Sequence, residues 1–104
     1  MDRHRAAELR SIAYHRAIAA RLVDEPAVLL RAQTRVAEWA RTGSTHPHWV
    51  ATWQRLLALP VPALIEALVD AGEAMTAARQ STPFAGALST RERWALWRSV
   101  PAAP

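Results

Sequence analysis

The sequence contains no cysteine, which excludes disulfide bonds, thiolate nucleophiles and thiolate metal sites. It also lacks lysine, so all thirteen basic residues are arginine. No apolar run approaches the roughly 20 residues that a membrane-spanning helix needs. The first ten residues contain no apolar segment of the kind found in signal peptides. We therefore expect a cytoplasmic protein that neither enters a membrane nor binds a metal through sulfur.

The composition that remains is typical of one small folded domain, residues 1–104. Hydrophobic residues make up 51% of the chain, which argues against intrinsic disorder, and a chain of this length can build one core. The formal net charge of +4 permits contact with RNA, DNA or an acidic protein and does not distinguish among them. Arginine, unlike lysine, binds carboxylates and phosphates through paired hydrogen bonds and stacks on aromatic rings.

Apolar residues recur every three or four positions along the chain, and no stretch alternates between apolar and polar residues. This pattern predicts an all-α fold, a compact bundle of five or six short-to-medium helices. Gly43 is expected to end the second helix, and a capping box of Ser89 and Glu92 predicts the start of the last one. The predicted helices cover residues 2–23, 26–41, 48–59 and 89–99, with Pro101 closing the last. A further helix begins near Pro62, and residues 73–79 either continue it or form a separate short helix.

The segment Arg79–Leu88 is the least helix-like part of the chain that still carries hydrophobic groups. Pro83 should end any preceding helix, and Gly86 permits a backbone conformation that other residues resist. We expect Phe84 and Leu88 to fix this turn to the core. The segment is then either a helix–helix connection or an ordered recognition loop, because ordered loops on rigid scaffolds often carry function.

Histidine offers little support for a metal site. His46 and His48 share a loop, but a site needs a third ligand, and no acidic residue lies close to them in sequence. His15 falls on the apolar stripe of the first predicted helix, where a hydrogen-bonded core or interface histidine is the simpler interpretation. We predict no metal and no cofactor.

Arginine followed by four to six residues and then histidine is a pattern of compact all-α ribonucleases of the HEPN type. Arg10–His15, Arg41–His46 and Arg41–His48 fit it, and Arg41–His46, at a helix end, is the best candidate. Chance alone supplies roughly 1.5 such pairs in this composition, so the match is weak. No phosphate loop, zinc-protease motif or nucleophile elbow is present. We predict that the protein is not an enzyme, with a small HEPN-like ribonuclease as an alternative.

Tryptophan is unusually abundant, with five residues. Trp39, Trp49 and Trp53 fit core positions, whereas Trp94 and Trp97 in the last predicted helix are better placed to reach a partner. Tryptophan and arginine together are typical of protein–protein hot spots, and they also stack on RNA bases. The turn before the last helix imitates a helix-turn-helix only loosely. A DNA- or RNA-binding regulator is therefore a second alternative.

A series of short motifs resembles a family of small bacterial proteins whose genes lie beside putative toxins, often of the nucleotidyltransferase class. Members of this family are generally taken to be antitoxins. The resemblance covers nearly the whole chain, and residues 81–88 are its most specific part. Departures are Glu25 before Pro26 and Thr82 at a place where serine is commoner. The motifs are Leu9-Arg10-Ser11, His15-Arg16-Ala17-Ile18-Ala19, Leu22, Asp24 with Pro26, Trp53 with Leu56-Leu57, the segment 79–88, and Glu92-Arg93-Trp94.

The resemblance implies a non-enzymatic inhibitor that binds and neutralises a toxin protein, and no catalytic residues transfer with it. A toxin that handles nucleotides needs a basic phosphate site, so a basic inhibitor is not expected to mimic nucleic acid. We expect arginines to pair with acidic groups of the toxin around a tryptophan centre. An interface on the first helix, at Arg10 or Arg16, is the competing location. Stoichiometry and oligomeric state stay open. The predicted contact residues are Arg79, Ser81, Thr82, Phe84, Arg91, Arg93, Trp94, Trp97 and Arg98.

Overall fold

A computed structural model describes residues 3–100 of the 104-residue chain. Within that range the chain forms six α-helices and no strand, which confirms the all-α prediction. None of these described helices is long and apolar enough to cross a membrane. Asp2 and Pro101, where the first helix was expected to begin and the last to be closed, lie outside the described residues. The helices are α1 (Arg3–Asp24), α2 (Pro26–Thr42), α3 (Pro47–Leu57), α4 (Val61–Leu68), α5 (Glu73–Arg79) and α6 (Thr90–Ser99).

Local capping interactions set two helix ends where the sequence predicts them. After α2, Gly43 adopts a φ of 70° and donates its amide to the Trp39 carbonyl at 2.9 Å. Before α6, the Ser89 hydroxyl accepts from the Glu92 amide at 3.1 Å, and Glu92 Oε1 accepts from the Ser89 amide at 2.9 Å. This reciprocal pair is the predicted capping box.

Two other boundaries differ from the prediction or resolve an open choice. α3 ends at Leu57 rather than at Leu59. Because Pro60 follows, Leu59 is disfavoured in the α region, and the helix stops before it. Residues 73–79 form a separate helix, α5. Asp70 Oδ1 accepts from the Gly72 amide at 2.7 Å, and this side-chain turn interrupts the chain between α4 and α5.

α1 is the central element of the bundle. It packs against α2, α4 and α6, while α3 packs against α2, α4 and α5. On α1, Ile18, Ala19 and Leu22 are buried at helical spacing, as an amphipathic helix requires. The radius of gyration of 13.7 Å is close to the value of about 13 Å expected for a compact chain of 100 residues.

Trp53 and Phe84 form the centre of the core. They are 0% and 1% exposed, and their ring centroids lie 6.1 Å apart in an edge-to-face arrangement. The indole N–H of Trp53 donates to an α5 carbonyl at 3.1 Å, so its one polar group is satisfied. Leu88 is also buried, which confirms that Phe84 and Leu88 fix the loop to the core. Trp39 and Trp49 are half-buried and pack against the same core.

We expect Phe84→Ala to lower the free energy of unfolding by about 3–5 kcal/mol, because the change leaves a cavity beside Trp53. Urea denaturation followed by circular dichroism measures this quantity. Trp94→Ala truncates a ring that is 53% exposed, so it is the matched control, and we expect it to cost less than about 1 kcal/mol. Similar losses in both variants would contradict the core role of Phe84.

Candidate functional site

The loop between α5 and α6, residues 80–89, is tied to α1 by two side chains that are neighbours in sequence. The Tyr14 hydroxyl donates to the Phe84 carbonyl at 2.7 Å. His15 is the next residue, and its Nε2 lies 2.8 Å from Thr82 Oγ1 while its Nδ1 lies 2.8 Å from the Ser11 carbonyl. A loop that the sequence marks as irregular is therefore held rigidly against the central helix.

The partners of His15 fix its tautomer. The Ser11 carbonyl can only accept, so Nδ1 carries the proton and donates to it. Nε2 of the neutral ring then accepts from the Thr82 hydroxyl. The same Thr82 oxygen accepts from the Phe84 amide at 3.1 Å, so its donor and acceptor roles are both used. The network runs from the α1 backbone through His15 and Thr82 to the loop backbone.

Burial lowers the pKa of His15 from its ordinary value of about 6.5 to about 4, because a buried imidazolium loses its hydration. The bond to Ser11 opposes this shift, and the positive charge of Arg79 adds to it. His15 is therefore neutral at pH 7, and it is 1% exposed. This confirms the interpretation of His15 as a hydrogen-bonded core histidine, whose role is to position the loop.

Arg79, a predicted contact residue, is buried, which argues against a direct partner contact. Its side chain is 3% exposed. Nη1 donates to the carbonyls of Leu68 at 3.1 Å and Asp70 at 2.7 Å, and Nη2 donates to the Thr76 hydroxyl at 3.4 Å. Burial lowers the pKa of Arg79, while the carboxylates of Asp70 and Glu8 oppose the shift. The guanidinium thus joins α5 to the end of α4.

Phe84 is the second predicted contact residue that the fold buries. At 1% exposure its ring belongs to the core and cannot touch a partner directly. Ser81 and Thr82 are half-buried, and the Thr82 hydroxyl is already committed to His15 and the loop. Arg35 of α2 donates to the Pro83 carbonyl at 3.3 Å and also to the Ala85 carbonyl. The loop is therefore held from two sides, and its hydrophobic side chains serve the fold.

The tip of this loop is where its exposed surface lies. Ala85 and Gly86 are both exposed. Gly86 has a φ of 83°, and nothing lies within 4 Å of the position a Cβ would take. The backbone conformation, not a lack of space, therefore requires glycine there.

α6 carries two exposed tryptophans, Trp94 and Trp97. Within the described chain, α6 contains no buried residue. Trp94 and Trp97 are 53% and 40% exposed, and their ring centroids lie 5.2 Å apart, edge to face. The Arg93 guanidinium lies 5.8 Å from the Trp97 ring centroid, within the range of a cation–π contact. Arg91 and Arg98 are also exposed.

α6 is attached to the bundle by contacts at its first turn and along one edge. Glu92 of the capping box forms an ion pair with Arg21 of α1, and Arg21 also donates to the Ala87 carbonyl at 3.3 Å. Leu96 is half-buried against the core. These contacts hold the helix while leaving the face of Trp94 and Trp97 exposed.

An open groove of about 360 Å³ lies between α1, the loop and α6. We call it the α1–α6 groove. No aspartate or glutamate lines it among the residues that the structure describes. Its lining residues are Ala7, Arg10, Ser11, Tyr14, His15, Arg79, Thr82, Ala85, Arg93 and Trp97.

The groove brings together residues that lie far apart in the sequence. Arg10 and Tyr14 are four residues apart on α1 and share one face, a spacing visible in the sequence. Nothing in the sequence shows that this face lies beside Arg93 and Trp97 of α6. The two interface locations treated as competing, at Arg10 and on the last helix, therefore meet in one groove, whereas Arg16 does not line it.

The histidine and arginine pair preferred for a ribonuclease has a local structural role. His46 precedes α3, and its Nδ1 accepts from the His48 amide at 3.0 Å, which caps the helix. Arg41 pairs with Glu38 on α2. Arg10 and His15 do line one groove, but both nitrogens of His15 are engaged in the fold. Within residues 3–100, no three histidine or acidic side chains gather in a way that could hold a metal ion.

Comparison with known proteins finds no protein-family model, no curated protein and no solved structure that matches this chain.

The buried neutral histidine predicts a pH dependence of stability. The folded pKa of His15, about 4, lies below the unfolded value of about 6.5, so the unfolded chain binds more protons between these values. Stability is therefore lost as the pH falls from 6.5 towards 4, by up to about 3 kcal/mol. Urea denaturation at a series of pH values measures the loss.

The contribution of His15 to this pH dependence is measured by comparing the free energies of unfolding of two variants over the same pH range. His15→Gln cannot titrate, so its stability should fall less steeply over this range. His48→Gln, at an exposed position, retains His15 and should keep the steeper loss. Parallel curves for the two variants would show that His15 is not held neutral by the fold.

Proposed function

We propose that this protein is an antitoxin-like inhibitor that binds and neutralises a toxin enzyme of the nucleotidyltransferase class by protein–protein contact. The observation that carries the proposal is the exposed pair of Trp94 and Trp97 beside Arg93 on α6. Tryptophan and arginine are the residue types most enriched in binding hot spots. The resemblance of the motifs, above all residues 81–88, supports the same assignment.

The exposure of the α6 side chains supports a role in docking. Large aromatic rings at 53% and 40% exposure contribute little to the stability of their own chain. A partner that covers Trp94 and Trp97 would remove that apolar area from water. Arg91 and Arg98 are exposed on the same helix and would form a charged rim. A helix with an aromatic centre and a basic rim suits a partner groove with an apolar floor and acidic edges.

Charge suggests how binding would neutralise the partner. Enzymes that transfer nucleotides hold divalent metal ions through carboxylates. Arginines of α6 that pair with such carboxylates would compete with the metal. The inhibitor then needs no catalytic residue and no cofactor of its own. We propose that it acts in the cytoplasm.

A DNA- or RNA-binding regulator is the second candidate function. The observation that favours it is the pair Arg10 and Arg93, which line one groove and form no ion pair with a carboxylate among residues 3–100. Phosphate contacts by such arginines would make binding fall steeply with salt.

The proposed interface predicts the effect of one substitution. Titration calorimetry against the proposed toxin, sought as the product of the neighbouring gene, should give a roughly thirtyfold or greater loss of affinity for Trp94→Ala, since a central tryptophan contributes about 2 kcal/mol or more. Leu30→Ala removes another large exposed side chain, 62% exposed on α2, and should bind like the parent. In cells that express the proposed toxin, co-expression of the parent protein should restore growth, and co-expression of Trp94→Ala should restore it less.

Three outcomes would count against the antitoxin assignment. The enzyme could fail to bind, or Leu30→Ala could weaken binding as much as Trp94→Ala. Tight, salt-sensitive binding of duplex DNA or RNA, without affinity for the enzyme, would favour the regulator instead.

A further inference from the structure

We propose that the α1–α6 groove is the binding site for an acidic peptide segment of the partner protein, with one carboxylate on Arg10 and another on Arg93. The inference rests on the proposed function and deepens it, since it names the chemistry that the partner presents. It also places the partner contact at the junction of α6 with α1, not on α6 alone.

The groove carries positive charge that would attract an anion. Arg10, Arg79 and Arg93 line it, and within the described chain no carboxylate lines it with them. The charge of Arg79 is offset by Asp70 and Glu8 nearby. Arg10 and Arg93 are therefore the two cations of the groove that lack a matched charge among residues 3–100.

The acidic residues on the same helices are used elsewhere. Glu8 of α1 pairs with Arg5 at 3.4 Å. Glu92 of α6 pairs with Arg21 and also closes the capping box. Neither lines the α1–α6 groove. Neither Glu8 nor Glu92 forms an ion pair with Arg10 or Arg93.

The aromatic residues of the groove favour a carboxylate over a nucleotide base. The Arg93 guanidinium lies over the Trp97 ring, 5.8 Å from its centroid, and Trp94 packs against the same ring. Tyr14 donates its hydroxyl to the loop and packs edge to face with His15, the centroids 5.5 Å apart. The two rings that line the groove, Trp97 and Tyr14, thus already contact groups of this chain. A guanidinium held on an indole loses less freedom when it binds a carboxylate through two hydrogen bonds.

The groove is shaped for a side chain or a short extended segment. Its volume of about 360 Å³ falls at the lower end of the range of ligand sites. Ala7 and Ala85, both exposed, keep it open at two edges. The floor is rigid because Thr82 and His15 are hydrogen-bonded to each other and to the backbone. A preformed site of this kind binds without first ordering its own loop.

The test uses the full chain and three fluorescein-labelled probes: hexaglutamate peptide, hexaglutamine peptide and hexauridylate RNA. Fluorescence anisotropy should show binding of hexaglutamate that weakens with salt, and no binding of hexaglutamine. In the nitrogen–proton spectrum, hexaglutamate should shift the indole N–H signal of Trp97, identified by its loss in Trp97→Phe.

Matched variants locate the site. Arg10→Gln should weaken hexaglutamate binding by about tenfold, as loss of a hydrogen bond to a charged group does, and Arg93→Gln should act similarly. Ala7→Leu keeps the charge and the helix propensity but fills the groove, so it should also weaken binding. Arg16→Gln removes an exposed arginine from the same helix outside the groove and should bind like the parent.

Several results would overturn the inference. Equal binding of hexaglutamate and hexaglutamine would show that binding does not depend on the carboxylates. Equal losses in Arg10→Gln and Arg16→Gln would show general charge attraction only. Tighter binding of hexauridylate than of hexaglutamate, abolished by Ala7→Leu, would make this a nucleic-acid groove.

The inference and the proposed function fail in different ways. If the toxin-like enzyme binds and Trp94→Ala weakens it, while Arg10→Gln and Ala7→Leu do not, the inhibitor role stands and the groove inference is wrong. If the enzyme does not bind at all, yet hexaglutamate titrates into the groove with the expected variant pattern, the groove inference stands and the partner must be another acidic protein.

Discussion

The hydrogen bonds of His15 join two parts of the chain that lie 67 residues apart. One imidazole nitrogen donates to the backbone of α1, and the other accepts from Thr82 at the start of the loop. The ring itself is buried and neutral, and both of its nitrogens are satisfied within the protein. These two hydrogen bonds set the position of Phe84 in the core and therefore the point from which α6 begins. The candidate site depends on this arrangement, since its floor is the same network.

α6 shows how a helix can be ordered without being buried. Its first turn is closed by its own capping box, and Glu92 of that box also reaches Arg21 on α1. Leu96 supplies a partial apolar contact. Such a helix can keep large aromatic side chains exposed, because its position does not depend on burying them. The fold thus separates the residues that hold α6 from the residues that α6 presents.

Arginine has several distinct roles in this chain, although the residue type is the same. Arg79 is buried and satisfies backbone carbonyls at the end of α4. Arg35 reaches over from α2 to the carbonyls of the loop. Arg10 and Arg93 line an open groove that has no carboxylate among the described residues. Burial and the nearest oxygen atoms decide which arginine supports the fold and which can bind a partner.

The sequence by itself determined the all-α class and most helix positions, the Gly43 terminus, and the capping box of Ser89 and Glu92, because periodicity and capping act between residues close in the chain. It also indicated that Phe84 anchors the loop, but it left open whether α5 is a separate helix. It did not determine that the side chain of Arg79 is buried. It also did not show that Arg10 lies in one groove with Arg93. Those facts arise from contacts between distant segments, and only the packing of α1 against the loop and α6 decided them.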